Sequence, residues 1–275
     1  MKIKPILVLA GVVVLQMLVS AEIITIFDSN AVIADSNTYD TVVVKGNGTV
    51  VNMTGGTINK LITMDASIFN MTNGSIATIQ VHGLSTLNVS GNSTLTSGSS
   101  YCAGKGHINF FGNALCTAQL KGFHSAAISI SEDANLQYLY CYDNCKAIIT
   151  GGTLSSVIFG KGNSQVDISG GTVGSIGCIS GLSNDRMRVN IIGYNLTANP
   201  YSESGSGIIS GNWNSGLPFS ISFYETYLFD IITLYDGSIP ADCINQPESD
   251  LNGDCKVDFK DFSKMAAEWL KDGTQ

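Results

Sequence analysis

Five oxygen-bearing side chains, Asp250, Asn252, Asp254, Asp258 and Asp261, occupy positions 1, 3, 5, 9 and 12 of the stretch DLNGDCKVDFKD. Position 7 is Lys256, which offers its backbone carbonyl. A tight loop with this spacing points hard oxygen ligands inward around one Ca²⁺. These six residues are therefore the expected metal ligands, and Ca²⁺ the expected cofactor. The surroundings favour that chemistry. Eight of the chain's 22 acidic residues fall in the last 34 positions, 242–275, although only 13% of the chain is charged. The segment DFSKMAAEWL that follows has Phe262, Met265, Ala266 and Trp269 at helical spacing, so a short amphipathic helix should close the loop.

What this device is attached to is decided by repeats. VNMTGGTI begins at Val51, FNMTNGSI at Phe69, LNVSGNST at Leu87, INFFGNAL at Ile108 and ISISEDAN at Ile128. AIITGGTL begins at Ala147, VDISGGTV at Val166, VNIIGYNL at Val189 and GIISGNWN at Gly207. The steps are 18, 18, 21, 20, 19, 19, 23 and 18 residues, a mean of 19.5. Within a copy, Val51 and Met53 are apolar while Asn52 and Thr54 are polar, the alternation of a strand with one buried face. Gly55-Gly56 then turns the chain, and Ile58 and Leu61 supply the next apolar pair. A unit this short cannot bury its own apolar face, but stacked copies can, each strand pairing with its equivalent one coil away. The expected fold is all-β, a parallel β-solenoid of about nine coils of roughly 19–20 residues.

In the region 41–215 the chain resembles right-handed parallel β-helix proteins of bacterial secretomes, in repeat length and pattern. Successive coils then place Asn52, Asn70, Asn88 and Asn109 on the outside, with Val51, Phe69, Leu87 and Ile108 beneath them. A second column begins with Thr54 and Thr72. These rows either hydrogen-bond along the stack or form a flat face for sugars or surfaces. Asn52, Asn70, Asn88, Asn109, Thr54 and Thr72 are the ligand-face candidates. Aromatic, alternating PFSISFYETYLFDIITLYDG after Gly216 should close one end of the solenoid, and residues 22–45 the other, because an open end is an unpaired sheet edge.

The β-helix resemblance also raises polysaccharide breakdown. Lyases of that fold need clustered carboxylates and an Arg or Lys base, and glycosidases need a spaced carboxylate pair. Glu132-Asp133 is the one adjacent pair, and it sits at a turn position where other coils have Gly. Asp185, Arg186 and Arg188 form the densest charged spot, in a long inter-repeat loop. His82, His107 and His124 are solitary and lie in or near turns. No catalytic residue is assigned.

The N-terminus carries an address. Lys2 and Lys4 precede a 14-residue apolar run, Ile6–Val19, and Val19-Ser20-Ala21 suits a cleavage site. Residues 1–21 are expected to be a signal peptide, so the product is secreted, extracellular or on the cell surface, with no membrane span left after cleavage. Removing Lys2 and Lys4 takes the net charge from −8 to −10. An acidic surface argues against nucleic acid as a partner. Secretion permits disulfides among the seven cysteines, but an odd number cannot all pair within one chain. Residues 22–236 then form the solenoid with its caps, and 237–275 a linker and the calcium-binding module.

Loop and helix together, Asp250 to Leu270, resemble one repeat of a type I dockerin, the module that plugs into cohesin on cellulosome-like scaffolds. The resemblance implies a cohesin-like or cell-surface scaffold partner. It departs from the pattern in having a single repeat, Cys255 where Gly is usual, and Phe259-Lys260 where a Ser/Thr pair is usual. A Cys243–Cys255 disulfide could tether a loop strained by that cysteine. The expectation is a secreted, non-catalytic solenoid for display, adhesion or polysaccharide binding, attached through a calcium-organised tail. The alternative is a polysaccharide lyase or glycoside hydrolase of the β-helix class.

Overall fold

A computed structural model describes residues 23–34, 37–96, 98–179, 187–200, 206–224 and 231–237. The expected signal peptide, the Asp250–Asp261 loop with its six ligands, the Cys243–Cys255 pair and the Asp185-Arg186 spot lie outside these residues. The described residues form a parallel β-solenoid of about eight turns with almost no helix among them.

Each full turn lays down rungs in three ladders. The first contains β2 (Ala31–Ile33), β4 (Val50–Met53) and the beginnings of β6 (Ile68–Val81) and β7 (Thr86–Leu95). It continues through β9 (His107–Phe110), β11 (Ala127–Ile130), β13 (Lys146–Gly162), β14 (Gln165–Cys178) and β15 (Arg188–Pro200). Asn52, Asn70, Asn88, Asn109, Ser129, Ile148, Asp167 and Asn190 pair successively, in the register the repeats predict. Val51, Phe69, Leu87 and Ile108 beneath them are fully buried.

A two-residue ladder follows the glycine corner. It joins β3 (Thr38–Val44) to β5 (Thr57–Thr63) through Tyr39 and Ile58, then continues through Ile76 and Leu95 to Cys116 in β10 (Leu115–Gly122). From there it passes to Leu136 in β12 (Asn135–Asp143), Leu154 and Val173. The third ladder runs from β1 (Ile24–Phe27) through Val42, Leu61, Ile79, Ser100 in β8 (Ser99–Cys102), Leu120, Leu139, Val157 and Ile176. Apolar residues from all three ladders meet along one continuous core.

Corners repeat as faithfully as strands. The turn between the first and second ladders contains Gly56 (φ 90°), Gly74 (101°), Gly152 (77°) and Gly171 (80°); in three coils the left-handed residue comes one position earlier, at Gly91 (58°), Gly112 (60°) and Glu132 (55°), the last standing where glycine does in the other two. The reason is close stacking: a Cβ on Gly171 would lie 2.6 Å from the carbonyl oxygens of Gly151 and Gly152. Position and φ together select glycine here.

One expectation is corrected. The copy starting at Gly207 is not a ninth coil. It lies in β16 (Ser206–Asn212), which pairs antiparallel with β15 and with β17 (Pro218–Tyr224). The next parallel rung below Asn190 is Thr233, in β18 (Ile232–Asp236), 43 residues on. The last turn is thus an enlarged coil into which an antiparallel meander has been inserted. Alternating polarity is common to parallel and antiparallel strands, so the repeat motif did not distinguish them. Connection length does, because a tight turn joins only antiparallel neighbours. That turn is Trp213–Leu217, held by Trp213 N–H to the Leu217 carbonyl at 2.9 Å and by Gly216 at φ 84°. Trp213 stacks on Phe219 at 3.7 Å and donates from Nε1 to the Gly171 carbonyl at 2.7 Å, fastening the meander to the preceding corner. The first rungs, β1 and β2, continue the parallel ladders directly.

Candidate functional site

The predicted amide column forms as a hydrogen-bonded chain. Asn70 Nδ2 donates to Asn52 Oδ1 at 2.8 Å, Asn88 to Asn70 at 2.8 Å and Asn109 to Asn88 at 2.7 Å, with Ser129 donating to Asn109 at 2.6 Å. Ile148 interrupts the column. Below it Asn190 donates to Asp167 at 2.6 Å, and Lys146 stands 3.9 Å from the same carboxylate. Thr54 and Thr72 turn their hydroxyls back to the carbonyls of Ile33 and Met53, one coil earlier, at 3.4 and 3.3 Å. These polar groups spend donors and acceptors on the coil next door, which leaves fewer to meet a ligand.

The described carboxylates at the corners act similarly. Asp65 accepts from Gly46 N–H at 2.9 Å, Glu132 from Gly112 N–H at 2.8 Å and Asp143 from His124 N–H at 2.9 Å. Asp65, Glu132 and Asp143 all have φ between 54° and 60°. Each thus occupies a left-handed corner position and repays part of that strain with a charge-assisted bond to the neighbouring coil. Arg188 is exposed at the start of β15. Among the described residues no three His, Cys, Asp or Glu side chains group closely enough to hold a metal ion.

A different face brings His82, solitary in the sequence, together with aromatic residues and a lysine that the repeat motif does not single out. The outward positions of the third ladder include Tyr101, Lys121 and Tyr140 in one column, whose backbones pair rung to rung. Beside them stand His82 and Phe123, just past the ends of β6 and β10, and Tyr142 in the last residues of β12. The six form a continuous row of contacts. His82 meets Tyr101 edge-on at 5.3 Å, with the Tyr101 hydroxyl 3.3 Å from Nε2. Tyr101 meets Phe123 edge-on at 6.3 Å, Phe123 stacks on Tyr142 at 4.8 Å and 13°, and Tyr140 lies parallel to Tyr142 at 6.4 Å and 8°. Lys121 Nζ sits 5.9 Å from the centre of the Tyr140 ring and donates to Ser99 Oγ at 3.2 Å. All six are half-buried, with one side open.

Small residues make the row possible. The ring of Tyr142 lies directly on Gly160, where any side chain would collide with it. Ala103 stands between His82 and Phe123 in the same column and leaves room for Tyr101 to reach both. Burial pushes the His82 imidazole below its ordinary value of 6.5. The Tyr142 phenol is pushed up, first by burial and then by its neighbours Tyr140 and Cys141. Both shifts favour uncharged rings. The arrangement is a ridge of flat apolar faces edged with hydroxyls, an imidazole and one ammonium.

Behind the ridge, four buried thiols line the core. Burial drives Cys102 and Cys116 up to about 12, and Cys141, hydrogen-bonded to Cys145, is raised as well. A buried thiol this reluctant to ionise behaves as a small apolar residue rather than a nucleophile.

The aromatic row has a trace in the sequence: His82, Tyr101, Phe123 and Tyr142 recur at 19, 22 and 19 residues, close to the coil period. Searches of protein-family models, curated proteins and solved structures find no match to this chain.

Proposed function

We propose that this protein is a secreted, non-catalytic solenoid that binds polysaccharide along the third ladder. The supporting observation is the open row of His82, Tyr101, Phe123, Tyr140 and Tyr142 across four successive coils. Sugar rings present C–H faces that pack on aromatic faces, and their hydroxyls bond to polar groups at the ring edges. Rings bury large apolar area with little rotamer entropy to lose. The row follows the solenoid axis, so it suits an extended chain rather than a single sugar. In this reading the Asp250–Asp261 loop, once it holds Ca²⁺, attaches the solenoid to a cohesin-like or other cell-surface scaffold.

The test is affinity electrophoresis of the whole chain through a panel of neutral and acidic polysaccharides, with product analysis of each polymer. Retardation that Tyr142→Ala and Phe123→Ala each weaken tenfold or more, with the far-UV spectrum unchanged, supports binding on the ridge. Retardation that both variants leave intact moves the site elsewhere. Cleavage of any polymer replaces the reading with a polysaccharide lyase or glycoside hydrolase. For the tail, calcium titration of the whole chain should show one site that Asp250→Ala weakens tenfold or more. No calcium heat at millimolar concentration removes the attachment reading.

A further inference from the structure

We infer that the ridge selects an anionic glycan, one bearing carboxylate or sulfate groups, and that Lys121 is the residue that selects it. This rests on the proposal that the ridge binds polysaccharide. The argument begins with charge placement. The chain as a whole is acidic, with 22 acidic residues against 14 basic ones. The outward columns of the third ladder reverse that balance. From the third coil down, the first column reads Lys60, Thr78, Ser99, Gln119, Tyr138, Ser156 and Ser175, and the second Ile62, Gln80, Tyr101, Lys121, Tyr140, Ile158 and Gly177. No carboxylate stands in either. Asp65 and Asp143, at the adjoining corner, each have an oxygen bonded to a backbone N–H.

Position adds to charge. Lys121 occupies the rung between Tyr101 and Tyr140, the centre of the ridge. Its ammonium is held by the Ser99 hydroxyl and by the face of Tyr140, so its long side chain is already ordered before any ligand arrives. An ordered cation loses less entropy when it pairs, and the apolar rings around it lower the local dielectric. Among the described residues Lys121 joins no ion pair; its contacts there, a hydroxyl and a ring, leave its positive charge uncancelled. A sugar stacked on Tyr101 or Tyr140 would therefore bring its substituents beside an uncompensated positive charge. A carboxylate or sulfate there gains what a hydroxyl cannot.

The experiment uses matched pairs of polymers: polygalacturonate against its methyl ester, and a sulfated galactan against its desulfated form. Dissociation constants for the whole chain are read by calorimetry at low and high salt. The expected result is about a two- to fivefold preference for at least one charged member at low salt, the upper range of one exposed ion pair. That preference should shrink at high salt. Lys121→Gln should cut it by about two- to fivefold, lowering affinity for the charged member more than for the neutral one. The carboxylated and sulfated arms distinguish the two sources of charge. Equal binding of charged and neutral members, or a preference that Lys121→Gln leaves intact, overturns this inference and leaves the ridge reading standing. Binding to none of the four polymers, or binding indifferent to Tyr142→Ala, overturns the ridge reading itself.

Discussion

Replacing Asn88 by Ala would break the amide column at its middle. The side chain donates to Asn70 Oδ1 at 2.8 Å and accepts from Asn109 Nδ2 at 2.7 Å, so two hydrogen bonds are lost. At about 0.5–1.5 kcal/mol each, the expected cost is about 1–3 kcal/mol. Asn52 is the column's end, and accepts one bond, from Asn70. Asn52→Ala should therefore cost about half as much. For a domain of this size 1 kcal/mol moves Tm by roughly 2–4 °C, so Asn88→Ala should melt roughly 2–12 °C lower. Thermal melts followed by far-UV circular dichroism measure this, alongside polysaccharide affinity for both variants. If the column serves the fold, stability falls in the order Asn88 then Asn52 and affinity is unchanged. Two variants that melt like the parent and no longer bind would refute this reasoning and make the amide column the ligand face.

Three further outcomes are expected. Gly171→Ala combines φ of +80° with a Cβ only 2.6 Å from two backbone oxygens, and should destabilise by about 2–4 kcal/mol; Gly216→Ala, at φ +84° with open space around it, should cost only about 1–2 kcal/mol. Equal losses in urea titrations would show that close stacking of the corners contributes nothing. Cys102 and Cys116 keep their protons up to about 12 in the folded protein, whereas the unfolded thiols lose theirs near 9.0. Their contribution is complete below pH 9 and is lost as pH rises towards 12, by about 1.4 kcal/mol per pH unit for each thiol; Cys116→Ala should flatten the measured slope. His82 is depressed below 6.5, so the unfolded chain takes up its proton first and stability falls as pH drops below 6.5. An NMR titration placing the His82 midpoint above 6.5 would contradict the burial argument.

The coil register was legible because each copy repeats both an alternation and a glycine corner. Pairing of Asn52 with Asn70 and of Asn70 with Asn88 follows directly from equal 18-residue steps. The meander was hidden because GIISGNWN has the same polar alternation as the coils before it, and the turn residues Asn214, Ser215 and Gly216 were the contrary signal. The candidate site was harder to read. In the first ladder Asn and Thr recur at fixed offsets from the glycines, so that ladder stands out in the sequence. The ridge lies in the more variable half of each coil, where steps of 18 to 21 residues shift its positions relative to the motif. Its members differ in type, and Phe123 and Tyr142 come from a different column than Tyr101. What unites them is stacking between coils, and no single copy of the repeat contains that.

Those 18-residue steps between β4, β6 and β7 have a consequence for how such a chain can change its length. Excising Ile68–Ser85 would remove one whole turn. Asn88 would then face Asn52 with its donor aimed at the same acceptor that Asn70 uses now, and Leu87 would settle on Val51 as it settles on Phe69. A cut that is not a whole number of turns would put the later side chains out of register with the ladders above. Length in this protein is therefore counted in whole turns. Deletion or duplication of a single period is the insertion or loss its ladders can absorb, and ligand reach along the axis would lengthen or shorten by one rung each time.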